Sequence, residues 1–169
     1  MTRRNAERSQ KRTRAREQAL QLLFTRDFIS DETAPLRFAD VMDDIVVEEY
    51  AHELYDGVLD RQPAIDSAIE SASENWSLSR MALTDRSILR IAVFELMFRP
   101  DIPAGVSINE AVELAQRFGG EDDSYRFVNG VLGKVATQLG DAAPDGDGSG
   151  TEAEDAGAEE PAEGEEVDR

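Results

Sequence analysis

Apolar residues recur with the period of an α-helix along nearly all of residues 13–139, and this pattern restricts the fold more than any other feature. Ala15, Ala19, Leu22 and Leu23, for example, fall on one side of the first predicted helix. No segment alternates convincingly between polar and apolar residues, as a half-buried strand would, and no internal repeat is visible. The sequence therefore predicts an all-α fold of six to seven helices.

Helix ends are indicated by prolines and polar caps. The predicted helices cover about residues 13–29, 36–42, 43–61, 63–72, 80–98, 107–118 and 122–139. Residues 80–98 are apolar on all sides, which predicts a central buried helix ended by Pro100 and Pro103. Ser107 and Glu110 have the spacing of a capping box, which predicts that the next helix begins there.

The first predicted helix has a second apolar stripe, formed by Leu20, Phe24 and Phe28. These residues either contact another helical layer within the chain or bind an outside partner. The inside interpretation is favoured, because the body of the chain is expected to form two small bundles that share a central helix.

Charge is divided unequally along the chain, whose formal net charge is −18. Residues 1–16 carry seven arginines and lysines against one glutamate, whereas residues 141–169 carry twelve acids against one arginine. Strong charge with few apolar residues opposes folding at both ends. The chain is therefore predicted to have a basic disordered arm at 1–11, a helical domain at 12–140 and an acidic disordered tail at 141–169.

Composition excludes several classes of function. The chain has no cysteine, which excludes disulfides and thiolate metal sites, and His52 is its single histidine. It has no glycine-rich phosphate loop, no HExxH motif and no recognisable Ser-His-Asp set, so we expect no catalytic site, metal or cofactor. It has no apolar run of membrane-spanning length and no visible signal peptide, so we expect no membrane association and a cytoplasmic location.

The arginine-rich residues 3–16 are the clearest indication of a ligand. Guanidinium groups hold phosphates in two-point contacts, and cations bound to a nucleic acid release its counterions. Phe24 lies two to three turns further along the same helix, where its ring can stack on an unpaired base. The competing interpretations are a solubilising arm and a Phe24 that belongs to the core.

A succession of motifs resembles the NusB family of transcription antitermination factors. The motifs are RAREQALQLLF at 14–24, DRSILRIAVFEL at 85–96, DIP at 101–103, VSINEAVELA at 106–115, FG at 118–119 and SYRFVNGVL at 124–132. The resemblance implies an all-helical, NusB-like protein made of two three-helix bundles. It also implies a role without catalysis: binding the boxA element of nascent ribosomal RNA together with NusE, a ribosomal small-subunit protein. Such a protein joins RNA polymerase complexes with NusA and NusG and suppresses premature termination.

The resemblance implies RNA-binding roles for individual residues. Arg12, Arg14 and Arg16 would hold phosphate. Phe24 stands where the family often has a tyrosine near the RNA, so stacking is retained while a hydroxyl is lost. The RNA-facing residues at the start of the last helix would be Asp123, Ser124, Arg126 and Phe127.

Other matched positions are given different roles. Asp85 and Arg86, at the start of the central helix, match charged positions near the NusE surface. Asn129 and Gly130 are interpreted as structural, with the glycine letting two helices approach closely.

The acidic residues 141–169 depart from the family pattern. They are either a competitor with RNA for the basic arm or a solubilising extension.

Two alternatives belong to other classes. A NusB-like domain also precedes some ribosomal RNA cytosine methyltransferases, but those need a large cofactor domain and a catalytic cysteine, and this chain has neither. The second alternative is a helical module that binds only protein, against which the three arginines of residues 12–16 argue. The resemblance leaves a monomer and a homodimer open, and a dimer would cover the basic arm.

Overall fold

The computed structural model describes residues 3–29, 47–74 and 76–142 of the chain. These residues form six α-helices and a short 3₁₀ turn at Leu78–Arg80, and no strand. The helices are α1 (Arg3–Ile29), α2 (Glu49–Asp60), α3 (Gln62–Ala72), α4 (Leu83–Phe98), α5 (Ala104–Phe118) and α6 (Ser124–Ala142). The prediction of an all-α fold is confirmed.

Helix α4 is the element on which the other helices pack. After its charged first turn, from Ile88 to Glu95, it buries residues on all sides, apolar except for Arg90 and Glu95, and each of the other five helices contacts it. Ile88, Leu89, Ile91 and Val93 are at most 2% exposed. Because burying one aliphatic side chain contributes about 1.5–3 kcal/mol, α4 supplies much of the energy of the core.

Two groups of three helices share α4. One group consists of α1, α2 and α4, and the other consists of α4, α5 and α6. Helix α3 packs against both α4 and α6, and so joins the groups. The prediction of two small bundles with a common central helix is confirmed.

The first two helices begin elsewhere than predicted. Helix α1 begins at Arg3 rather than near Thr13, so residues 3–11 of the predicted disordered arm are helical. Arginine, alanine, glutamate, glutamine and lysine are strong helix formers, and they extend a helix without the apolar contacts that periodicity detects. Helix α2 begins at Glu49 rather than Asp43, because the backbone of Glu48 is extended.

The predicted capping box is wrong. Helix α5 begins at Ala104, directly after Pro103, whose fixed φ is suited to a helix entrance. Ser107 consequently lies inside the first turns, and its buried hydroxyl has no hydrogen-bond partner among the described residues. The Glu110 carboxylate accepts a hydrogen bond from Thr13 of α1 instead.

Further sequence predictions concern termini, connections and membrane spans. Pro63 occupies an early position of α3, and α6 begins at Ser124, both as predicted. The predicted turn at 36–42 and the acidic residues 143–169 lie outside the described residues. Within the described part of the chain, no helix combines the length and apolar character needed to cross a membrane.

Two glycines that look alike in sequence differ in their surroundings. Gly57 of α2 faces the Phe94 ring of α4, and a Cβ there would lie 2.3 Å from Phe94 Cζ. A Cβ on Gly130 of α6 would meet nothing within 4 Å, so the interpretation of Gly130 as a close-approach site is wrong.

We therefore expect opposite effects from two identical substitutions. Gly57→Ala should lower the free energy of unfolding by about 1–2 kcal/mol, because overpacking outweighs the gain in helix propensity. Gly130→Ala should raise it by roughly 0.5–1 kcal/mol, because only the propensity changes. Urea unfolding followed by circular dichroism measures both values, and a stabilised Gly57→Ala protein would contradict this packing.

Candidate nucleic-acid interface

The N-terminal part of α1 presents cations that have no acidic partner. Arg3, Arg4, Arg8 and Lys11 are all exposed, and none of them forms an ion pair with a described residue. Arg4, Arg8 and Lys11 follow one another at i, i+4 and i+7, so they share one face of the helix. The positive end of the helix dipole adds to their field. This part of the surface is suited to an anionic ligand.

Arg16 does not belong to that surface, contrary to the sequence prediction. It is 2% exposed. Its Nε donates to Glu95 Oε1 at 2.9 Å, and its Nη1 lies 3.6 Å from Glu110 Oε2. The Tyr50 hydroxyl donates to the same Glu95 oxygen at 2.6 Å. Arg16 thus neutralises a buried carboxylate of α4 and is not available to phosphate.

The Tyr50 ring lies among three guanidinium groups. The centre of the ring is 5.4 Å from Arg12 Cζ, 5.9 Å from Arg16 Cζ and 4.8 Å from Arg99 Cζ. Burial of Tyr50, followed by the charge of Glu95, raises the pKa of the Tyr50 hydroxyl above its usual value. The hydroxyl therefore remains a donor to Glu95 at neutral pH.

Arg12 is partly exposed and already paired. Its Nη2 lies 3.2 Å from Asp101 Oδ2. A hydrogen bond from Arg99, supplemented by Arg12, lowers the pKa of Asp101 to about 2. Asp101 is therefore ionised at neutral pH, and it competes with a phosphate for the Arg12 guanidinium.

A groove of about 480 Å³ lies along α1 and begins at Arg14, three residues after Lys11. Its lining includes Arg14, Phe24, Thr84 and Phe118. The Arg14 side chain is 66% exposed and pairs with Glu48 at 3.4 Å. Of the residues predicted from sequence, Arg14 and Phe24 thus lie together in one open groove.

Aromatic rings project from this face of the protein. Phe24 is 37% exposed and Phe28 is 72% exposed, and their rings stack with centroids 6.0 Å apart. Leu20 alone of that stripe is buried, so the expectation that the stripe faces inward is wrong for both phenylalanines. Phe118 is exposed beneath the Arg117 guanidinium, 4.8 Å from the centre of its ring. Sequence reasoning missed Phe28, Phe118 and Arg117 as exposed features, although an Arg-Phe pair just before two glycines was a usable signal.

A second groove of about 420 Å³ lies at the start of α6. It includes the predicted residues Asp123 and Phe127, together with Trp76 and Arg80, which sequence reasoning did not assign to a site. Arg126 is exposed and lies 3.4 Å from Asp123. The rim also carries the acids Glu74 and Glu121.

Asp85 and Ser124 line the second groove but are largely buried, and they hold the connection between α5 and α6. The Ser124 hydroxyl donates to Asp85 Oδ2 at 2.8 Å, and the Gly120 N–H donates to Asp85 Oδ1 at 3.4 Å. Ser124 Oγ also accepts from the Glu121 N–H at 3.0 Å. Their hydrogen-bonding groups serve this connection, so both residues position the loop.

Arg86 is also engaged within the protein. Its Nη2 lies 3.0 Å from Asp27 Oδ2 of α1. Arg90 contacts the same oxygen at 3.0 Å and holds Asp66 of α3 through two hydrogen bonds of 2.8 and 2.9 Å. The predicted partner-facing role of Arg86 is therefore not supported by its surroundings, which join three helices.

The two grooves lie on neighbouring parts of the surface. Thr84 lines the first groove, while Asp85 of the same turn of α4 and Ala82 just before it line the second. No group of three acidic or histidine side chains in the described part of the chain could hold a metal ion. The site offers cations and exposed rings, which suit reversible binding of a polyanion that carries stackable groups.

These features define an all-helical binding protein, and comparisons with known proteins place it more narrowly. The NusB family model matches residues 13–137, so the chain belongs to the NusB family. Transcription antitermination protein NusB of Geobacter sulfurreducens is 47% identical over 136 residues, covering 75% of this chain and 94% of the relative.

Solved structures of the family have the same fold. NusB of T. maritima has a TM-score of 0.67 at 34% identity, covering 75% of this chain and 91% of that one. A crystal structure of the antitermination factors NusB and NusE in complex with double-stranded RNA has a TM-score of 0.59 at 26% identity. That match covers 78% of this chain and 98% of that one.

Separate substitutions of Arg16 and Arg14 should distinguish an arginine that stabilises the fold from one that only adds charge to the surface. Arg16→Met leaves the buried Glu95 carboxylate without its cation, so we expect the free energy of unfolding to fall by about 3–5 kcal/mol. Arg14→Met, two residues away on the exposed side, should change it by less than about 0.5 kcal/mol. Both values come from urea unfolding, and equal midpoints for the two variants would contradict the buried role of Arg16.

Proposed function

We propose that this chain is a transcription antitermination factor that binds the boxA element of nascent ribosomal RNA together with NusE. One observation carries the proposal: the cations of α1 that have no acidic partner precede, on the same helix, a groove whose lining includes Arg14 and the exposed rings of Phe24 and Phe118. Membership of the NusB family supports it, as does the likeness to a NusB and NusE complex with RNA.

Phosphates and bases have separate binding groups in this proposal. Arg4, Arg8, Lys11 and Arg14 bind phosphates along α1, and Arg12 joins them when a phosphate replaces Asp101. Unpaired bases then enter the groove and stack on Phe24. The acidic remainder of the chain repels RNA elsewhere, which confines the RNA to this path.

The RNA path continues to the start of α6. Phe118 ends α5 beside the connection that Asp85 and Ser124 hold. Beyond that connection Arg126 offers a further cation, and Phe127 offers a ring at the second groove. The Asp123 carboxylate partly neutralises Arg126, so this part of the path is proposed to contact bases rather than additional phosphates.

NusE is proposed to bind the second groove at Trp76, next to the RNA contacts of Arg126 and Phe127. Trp76 is exposed there, and large aromatic residues are enriched in protein interfaces. The acidic rim of Glu74, Glu121 and Asp123 suits a basic protein. Asp85 and Arg86 then act on NusE indirectly, by positioning the elements around the groove. RNA polymerase, NusA and NusG are proposed as further members of the complex, and no catalytic step is proposed for this chain.

The RNA path is tested by Arg14→Gln and Phe24→Leu. Arg14→Gln should weaken boxA binding and lower the salt slope by about 0.7, because one phosphate contact is lost. Phe24→Leu should weaken binding by about 1–3 kcal/mol with the slope unchanged, because stacking is lost and charge is kept. Fluorescence anisotropy over a salt series, with and without NusE, measures both effects.

The control for charge is Arg61→Gln, which removes an exposed cation that stacks on Phe98, away from the groove. Its boxA affinity and salt slope should equal those of the unmodified protein. Equal losses in Arg14→Gln and Arg61→Gln would indicate binding by general charge alone. A protein that binds NusE but no RNA in any mixture would support the protein-only module.

The NusE surface is tested by Trp76→Ala. Removal of this exposed ring should weaken NusE binding about tenfold or more, as for a central aromatic residue of an interface. The affinity for boxA without NusE should stay unchanged. Phe24→Leu should give the reverse pattern, and calorimetric titration of NusE into each variant would contradict the assignment if Trp76→Ala bound normally.

A further inference from the structure

The cations at the beginning of α1 differ from nearly all others in the described part of the chain. Arg12, Arg14, Arg16, Arg26, Arg86, Arg90, Arg99, Arg117, Arg126 and Lys134 each contact an acid. Arg61 and Arg80 stack on aromatic rings. Arg3, Arg4, Arg8 and Lys11 have no such contact with a described residue. In a chain with 36 acids and 18 arginines and lysines, four adjacent cations without an acid point to a missing anionic partner.

The direction of the helices places the end of α6 near these cations. Arg12 contacts Asp101, Thr13 contacts Glu110, and Glu17 contacts Arg117, so α1 and α5 run in the same direction. Helix α6 follows α5 after a short connection and packs along it, so it runs back the opposite way. Its end at Ala142 therefore lies at the end of the molecule where residues 3–11 extend beyond α5.

The chain that continues from Ala142 is strongly acidic. Residues 143–169 contain eleven acids and one arginine, a net charge of −10, and are rich in glycine and alanine. A glycine-rich chain of this length has a root-mean-square reach of about 30 Å, whereas residues 3–14 of a helix span about 18 Å. The acidic segment is therefore long enough to cover the cationic face.

We propose that the acidic segment, residues 143–169, occupies the cationic face of α1 and must be displaced before RNA binds there. Attachment to the same chain gives the segment an effective concentration in the millimolar range at that face. RNA that binds only through its phosphates competes with the carboxylates of the segment for the same cations and has no additional contact in its favour. A ligand that also stacks on Phe24 and recruits NusE has additional binding energy. The segment thus raises selectivity for boxA, an inference that rests on the proposed function.

The first test compares the full chain with a version that ends at Ala142. At low salt the truncated protein should bind a scrambled single-stranded RNA about tenfold more tightly, and the difference should fall below about twofold at high salt. A full-length variant with every Asp of 143–169 changed to Asn and every Glu to Gln should behave like the truncated protein. This variant controls for chain length.

The second test detects the contact itself. The chain has two lysines, Lys11 on the cationic face and Lys134 on α6, where it pairs with Glu74 at 3.0 Å. Zero-length carbodiimide coupling at low salt should join Lys11 to carboxylates of 143–169 within one molecule, as mapped by mass spectrometry. Lys11→Arg should remove the cross-link, because arginine does not couple to carboxylates in this reaction, and the Lys134–Glu74 product reports on the efficiency of coupling.

The outcomes separate this proposal from the proposed function. The proposal is overturned if the truncated and full chains bind scrambled RNA equally and Lys11 forms no cross-link to the segment, while both chains bind boxA with NusE. That result would identify residues 143–169 as a solubilising extension. If neither chain binds boxA in any mixture, the proposed function fails, whatever the cross-link shows.

Discussion

The buried ion pair between Arg16 and Glu95 fixes the helix on which the candidate interface depends. It joins α1 to the central helix α4 at 2.9 Å, and the Tyr50 hydroxyl brings α2 to the same carboxylate. A buried pair of this kind contributes little stability beyond what apolar residues would give, but removal of one partner is costly. Its geometry therefore holds α1 at one angle and one register against the core.

A second, partly buried network fixes α1 further along its length. Asp27 receives Arg86 and Arg90 from α4, and Arg90 also holds Asp66 of α3. The two networks lie on either side of Phe24, whose ring is directed into the groove between them. The exposed rings are thus presented by a part of α1 that is held at Arg16 and at Asp27, so less ordering entropy is lost when a ligand stacks on them.

The arginines and lysines that are available to a ligand are those that no carboxylate of a neighbouring helix already neutralises. Arginines near the core pair with carboxylates of neighbouring helices, whereas the cations that extend past the beginning of α5 have no acidic partner among the described residues. The same chain therefore uses arginine in two ways. Inside, arginine fixes the arrangement of helices, and outside it leaves positive charge for a polyanion, which we propose to be RNA or the acidic residues 143–169.

The sequence by itself determined the helical class, the central helix and the family, because these depend on local periodicity and on motifs that can be read along the chain. It also identified the arginine-rich segment and Phe24. It could not distinguish Arg14 from Arg16, which lie two residues apart and therefore face different sides of one helix. Likewise, it gave Asp85 and Ser124 to a binding surface, although they hydrogen-bond each other. Only the tertiary structure decided these cases, because whether a charged side chain binds a ligand or supports the fold depends on which distant helix supplies its partner.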